Sequence, residues 1–275
     1  MGPDGGVADL GDLDVVDEGT GVPVVLSHGG SSDRRYWEPQ RAAFSARHRV
    51  VTYSQRSVPA AESGVGSAGG TATPPDHVAD VVAIIERLAA GPVHLVGFSS
   101  AICLRAVLAA PALIRSLTIV EPNVPWLLEG DPDGEAVLAS WRAENERVRV
   151  EAAGDEDRAA RLWFELVNNR GPGTFEAQPE ALRRMWLEQF AGRRPPAPGA
   201  TPAAPLRCAD LGRIGVPTLA LGAEHGMPYS RAILDRVASC IPGSDLVIVP
   251  GVTHFMSHQA PDRFNEIVLD FIDRH

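Results

Sequence analysis

Ser99 stands in Gly97-Phe98-Ser99-Ser100-Ala101, and His254 stands 155 residues later in Gly251-Val252-Thr253-His254. A serine hydroxyl is a weak nucleophile at neutral pH. It becomes an acyl-transfer catalyst when a histidine within hydrogen-bond reach takes its proton and a carboxylate holds that histidine in the right tautomer. Two carboxylates stand at comparable places, Glu121 before Pro122 and Glu224 before His225. Each residue also has an ordinary structural use, as a loop histidine, a helix cap or a salt-bridged acid. The combination favours chemistry: a serine, an acid and a histidine occur in one order, each near the end of an apolar run. His254 and His258 are spaced four apart, as a metal pair could be, but the Glu of a His-Glu-x-x-His frame is missing. No metal or other cofactor is therefore expected.

The elements that must position these groups alternate. Val22–Ser27, Arg49–Tyr53, Val93–Phe98, Ser116–Val120, Pro217–Leu221 and Asp245–Pro250 are short, mostly apolar runs, as strands covered on both faces require. Helical patterns fall between them: Tyr36–Ala46, a segment opening at Pro75-Asp76 with Val78, Val81, Val82, Ile85 and Leu88 at helical spacing, the stretch after Ser99, Ser230–Cys240 and Pro261–Arg274. Alternation of this kind predicts a mostly parallel sheet with helices on both faces. Active sites of such sheets lie beyond the carboxyl ends of the strands. Those ends carry His28-Gly29-Gly30, Gln55-Arg56, Ser99, Glu121, Glu224-His225 and His254. Val7–Gly21 is expected to form an antiparallel edge hairpin with the Val22 strand. Glu62–Pro75 and Gly192–Pro205, rich in small residues and proline, are expected to be a loop and a linker.

The strand, the Gly-x-Ser-x-Ala and the small and aliphatic residues behind it resemble the nucleophile elbow of the α/β-hydrolase family. There the serine sits on a strained strand-to-helix turn, and the residues two before and two after it must be small. Pro250–Ile272, with its Gly-x-x-His, is similar to the family's C-terminal end, and the resemblance runs from about Val22 onward. It implies an α/β-hydrolase fold with Ser99 as nucleophile and His254 as base. The oxyanion would be met by the N–H groups of Ser100 and Gly30. The family's usual acid position, a few residues past the Pro217 strand, is held here by Gly226. The acid is therefore assigned to Glu121, at the end of the strand beside the serine strand, with Glu224 as the alternative. Two further departures stand out. The interval from Ser99 to Pro111 is about two residues shorter than the family's, which puts strain on the first turn of the helix. Tyr53-Ser54-Gln55-Arg56-Ser57 also replaces the commoner Asp-x-Arg-Gly.

Between Pro125 and Ala191 the pattern is helical only, and Trp126, Trp141, Trp163 and Trp186 fall there with Phe164 and Phe190. This predicts core segments 1–124 and 206–275 and a helical lid with linker over 125–205. His28, Gly29, Trp126, Trp163 and Trp186 are candidate pocket residues, suited to an apolar or ring-bearing substrate. The expected activity is hydrolysis of an ester or lactone through an acyl-enzyme. Hydrolysis of a C–C bond, a cyclase or lyase reaction, or a decayed ligand-binding role would use the same parts. A net charge of −10 over 275 residues excludes nucleic acid and anionic membranes as expected partners. The expected partner is a small-molecule substrate, and a homodimer is compatible with this composition. Three widely spaced cysteines (Cys103, Cys208, Cys240) and a Gly/Asp-rich start without signal-peptide character predict a reduced, cytoplasmic protein.

Overall fold

The computed structural model describes residues 13–55, 74–191 and 204–275. Arg56, most of the Glu62–Pro75 segment and most of the expected linker lie outside the described residues. Seven strands form one sheet in the order β1-β3-β2-β4-β5-β6-β7. They are β1 (Val15–Glu18), β2 (Pro23–Ser27), β3 (Arg49–Tyr53), β4 (Val93–Phe98), β5 (Ile114–Val120), β6 (Thr218–Ala223) and β7 (Asp245–Val249). From β3 to β7 all pairings are parallel. Every residue of β2 and β4 is buried, as it must be when helices cover both faces.

The edge strand differs from the expected hairpin. β1 is antiparallel, but its partner is β3 rather than the neighbouring β2, with Val15 opposite Tyr53. Arg49 pairs with Asp17 across this edge at 2.6 Å. A two-residue alternation tells which face is buried and says nothing of which strand lies alongside.

The helices are α1 (Glu38–Ser45), α2 (Pro74–Leu88), α3 (Ile102–Ala109), α4 (Pro132–Ala152), α5 (Glu156–Val167), α6 (Glu180–Ala191), α7 (Cys208–Leu211), α8 (Pro228–Cys240), α9 (Met256–Gln259) and α10 (Pro261–Asp273). α1 packs on α10, and α2 on α3. The helices α4–α6 interrupt the alternation between β5 and β6. Two of them start on a capping aspartate: Asp131 accepts from Gly134 N–H at 3.2 Å, and Asp155 from Arg158 N–H at 3.0 Å. No described helix is long and apolar enough to cross a membrane.

The cysteines correct one expectation. Cys103 is a buried free thiol, but Cys208 and Cys240 are joined as a disulfide. They are 32 residues apart in sequence, yet their Cα atoms are 5.1 Å apart. Cys208 opens α7 before β6, Cys240 ends α8 after it, and the right-handed return of a strand–helix unit brings the two helices together. Wide spacing along the chain was no measure of distance.

Candidate active site

The parallel register of β4 and β5 sets Phe98 beside Val120, so the next residues of the two strands, Ser99 and Glu121, leave the sheet side by side. Both are held in the left-handed region, Ser99 at φ 47° and Glu121 at φ 44°. For residues with a Cβ this costs on the order of 1–2 kcal/mol each. The corners are pinned by backbone hydrogen bonds from Ser99 N–H to Val120 O (2.8 Å) and from Glu121 N–H to Leu221 O (3.0 Å). Gly97 is required by packing. A Cβ there would stand 2.5 Å from Cys103 Sγ, so the start of α3 lies directly against the strand.

His254 follows β7 in an irregular loop and is 7% exposed. Its Nδ1 lies 2.8 Å from Glu121 Oε2, and Glu121 is 2% exposed. Glu121 Oε1 accepts the Ala223 N–H at 2.9 Å. A carboxylate can only accept, so Nδ1 carries the proton and Nε2 presents a lone pair. Nε2 has no partner among the described residues. The His254 ring packs on Phe98, next to Ser99, with centroids 4.8 Å apart. No hydrogen bond joins Ser99 Oγ to His254 among the described residues; in enzymes without substrate such bonds are often long and tighten when it binds.

The structure answers why Gly226 stands where an acid is usual. A Cβ at Gly226 would lie 3.1 Å from Glu121 Oε1, and one at Gly222 would lie 3.6 Å from the same oxygen. The carboxylate from β5 thus crowds the position past β6. Glu224, the alternative acid, is elsewhere: its Oε2 accepts the Gly251 N–H at 2.8 Å and caps the turn after β7.

The loop after β2 lies against the serine corner. A Cβ on Gly29 would meet Phe98 O and Ser99 Cβ, both at 3.0 Å. The Gly30 and Ser100 N–H groups have no acceptor among the described residues. Ser100 Oγ accepts the Ile102 N–H at 3.1 Å, and α3 begins at Ile102, three residues past the serine. A serine side chain thus closes the open first turn of α3. His28 is spent on the scaffold. Its Nε2 accepts the Gln55 N–H at 2.9 Å, so Nδ1 carries the proton and donates to Gly29 O at 2.8 Å. Burial pushes its pKa down to about 4. Gln55 thus ties the β3 exit to the Gly29 loop, in the segment that departs from Asp-x-Arg-Gly.

The tryptophans divide. Trp186 is buried, donates Nε1–H to Ala160 O at 2.8 Å, and packs on Phe255, the neighbour of His254, at 5.6 Å. Trp163 packs on Trp141, which stacks on Tyr229 at 4.5 Å. Trp126 lies under the Arg105 guanidinium at 5.6 Å. A cavity of about 710 Å³ between α4, α5 and the start of α8 is lined by Trp141, Leu162, Leu166, Met227 and Tyr229, and by none of Ser99, Glu121 and His254.

Residues without a sequence signal also meet here. Asn168, at the end of α5, and Gln259, in α9, both bond Thr253. Asn169 Nδ2 donates to Gly226 O at 3.3 Å. Gln189 of α6 donates to Asp33 at 2.8 Å, just past the Gly30 loop. His258, the candidate metal partner of His254, donates from Nε2 to Tyr36 O at 2.8 Å.

Known proteins are similar to this chain in sequence and fold. Residues 24–267 match the model of the alpha/beta hydrolase family. The chain is 33% identical to the putative non-heme bromoperoxidase BpoC of Mycobacterium tuberculosis, over 93% of this chain and 95% of that one. It is 27% identical to the putative carbamate hydrolase RutD of Azorhizobium caulinodans, over 95% of this chain and 96% of the relative. Among solved structures, carboxylesterase CesB from Bacillus subtilis superposes with a TM-score of 0.68 at 19% identity, covering 94% of this chain and 87% of that one. The match over nearly the whole chain, with the strained serine corner and its buried acid–histidine pair, makes this protein an enzyme of the alpha/beta hydrolase family.

Proposed function

We propose that the protein is a serine hydrolase that cleaves an ester or lactone of a small, largely apolar acyl compound through an acyl-enzyme. The observation that carries this reading is the buried His254–Glu121 pair at 2.8 Å, one strand from a serine held at φ 47°. Ser99 Oγ attacks the carbonyl carbon, and its proton passes to His254 Nε2. Glu121 keeps Nδ1–H in place and stabilises the imidazolium that forms. The Gly30 and Ser100 N–H groups meet the developing oxyanion. His254 then protonates the leaving alkoxide. In the second half, His254 takes a proton from water, the hydroxide adds to the acyl carbon, and Ser99 leaves with the proton returned. The helices α4–α6 form a lid over this edge, tied down through Gln189–Asp33 and Asn168–Thr253. A relative named as a carbamate hydrolase adds carbamates to the bonds worth testing. The Cys208–Cys240 bond favours an oxidising compartment over the cytoplasm.

The absence of a Ser99 Oγ–His254 hydrogen bond among the described residues leaves a second reading to test, binding without turnover. A fluorophosphonate probe separates the two. Labelling of the folded protein that vanishes in Ser99→Ala, with turnover of at least one member of an ester, lactone and carbamate panel, supports the hydrolase. A folded protein that takes no label refutes it.

A further inference from the structure

We infer that Thr253 is a positioning residue for the base, and that Asn168, Thr253 and Gln259 form a one-way hydrogen-bond chain linking the placement of His254 to the helices α4–α6. The inference rests on the hydrolase reading of Ser99 and His254.

Thr253 directly precedes His254 and is 2% exposed. Its Oγ1 donates to Asn168 Oδ1 at 2.7 Å and accepts from Gln259 Nε2 at 2.6 Å. Its N–H donates to Gln259 Oε1 at 2.7 Å. Asn168 is fully buried, and its Nδ2 donates to Phe164 O at 2.8 Å, which fixes the amide's orientation. The direction of the chain is thereby set from Gln259 through Thr253 to Asn168 and on to α5. Three of its bonds converge on one residue in a loop that has no ladder of its own.

Its surroundings are apolar. Phe164 packs on Phe255 at 4.9 Å, and Phe255 packs on His254 at 5.6 Å. An apolar pair of the same shape would stabilise such a place about equally well, whereas a fully satisfied polar chain selects one geometry. What needs one geometry here is the next residue. The Glu121 bond orients the imidazole through Nδ1 but leaves the reach of Nε2 toward Ser99 to the backbone of residue 254. That backbone is anchored through Thr253. Asn168 closes the last turn of α5, so a shift of the helices moves the anchor and with it the base.

Thr253→Val keeps the shape and removes the hydroxyl. The expected result is a loss of about 10-fold or more in kcat on a p-nitrophenyl ester, with KM within about threefold, since misplacing a catalytic group by a fraction of an ångström acts on the reacting geometry. Thr253→Ser is expected to restore kcat to within about threefold. Adding Asn168→Leu to Thr253→Val should lower kcat by less than Asn168→Leu does alone, because the Thr253–Asn168 bond the two residues share is already gone. Gln259→Ala covers the case of a poorly folding Thr253→Val. That residue is exposed, but its loss leaves the buried Thr253 N–H without its acceptor, so kcat should fall several-fold with a modest drop in Tm. The low-field proton NMR resonance of His254 Nδ1–H reads the placement of the ring without turnover. It should shift or broaden in Thr253→Val and return in Thr253→Ser. An unchanged resonance and an unchanged kcat in folded Thr253→Val or Gln259→Ala overturn the inference. A resonance that shifts across these variants, in a protein whose wild type neither labels with fluorophosphonate nor turns over any substrate, refutes the hydrolase reading and leaves the anchoring role standing.

Discussion

Replacing Glu121 by Gln changes one atom and has a calculable consequence. Glu121 now accepts twice, from His254 Nδ1–H at 2.8 Å and from Ala223 N–H at 2.9 Å. An amide cannot do both. With its oxygen toward His254, its NH2 faces the Ala223 N–H, leaving two donors opposed in a buried site at about 1–3 kcal/mol. With its oxygen toward Ala223, its NH2 faces Nδ1, which must give up its proton and accept. The second arrangement satisfies every group, so the variant should settle there. The imidazole proton then sits on Nε2, where it cannot take a proton from Ser99. That is the wrong-tautomer state, for which rate losses of about 10²–10⁴ are expected, or ~3–5 kcal/mol of transition-state stabilisation. KM should change little. The assay is kcat on the best ester from the panel, with Tm confirming the fold. A silent Glu121→Gln, or an equal loss in Glu224→Gln, refutes the assignment. The contact at Gly226 sharpens the test. Gly226→Asp alone should clash with Glu121, whose Oε1 lies 3.1 Å from the added Cβ. Combined with Glu121→Ala, which empties that space, it should recover part of the lost rate. No recovery in a folded double variant would mean that Gly226 has more than a steric part.

Two further outcomes concern stability. Burial lowers the pKa of His28, His94 and His258 from 6.5 to about 4. The unfolded chain therefore binds more protons between these values, and stability should be full above pH 6.5 and fall as pH drops toward 4. The slope is at most about 1.4 kcal/mol per pH unit for each histidine; urea unfolding at pH 7 and pH 5 measures it, and equal stabilities refute it. Replacing Cys208 and Cys240 by Ser opens a loop closed across 32 residues, which should cost about 3–4 kcal/mol by the loop-entropy estimate. Mass spectrometry that finds both cysteines reduced in the native protein would remove that expectation.

Chain-local information made much of the sheet and the serine corner legible. A strand needs only its own apolar run, and the elbow only a pentapeptide, so β2 to β7 and the strained position of Ser99 could be read directly. The placement of His254 beside Glu121 was legible through order and place, because a parallel sheet delivers every strand end to one edge. Pairings that depend on return paths were not legible. β1 chose β3 over its sequence neighbour, and Cys208 found Cys240, because contacts between distant segments leave no mark on the residues between them. The chain through Asn168, Thr253 and Gln259 was hidden for the same reason, three common polar residues with no shared spacing.

Between these limits stands the acid. A glycine at position 226 and a glutamate at position 121 look in sequence like two separate oddities, one absence and one excess. In the structure the two are neighbours, since a Cβ at 226 would come within 3.1 Å of Glu121 Oε1, a tight contact. A deviation from a pattern is most informative when a second deviation compensates for it. The start of α3 has its own partner in Ser100, whose Oγ takes the Ile102 N–H, one of the first-turn N–H groups that a helix cannot bond within itself. Such compensated departures are what the hydrolase reading expects of a working site. An acid lost without replacement, or a helix end left open, would instead have pointed to decay.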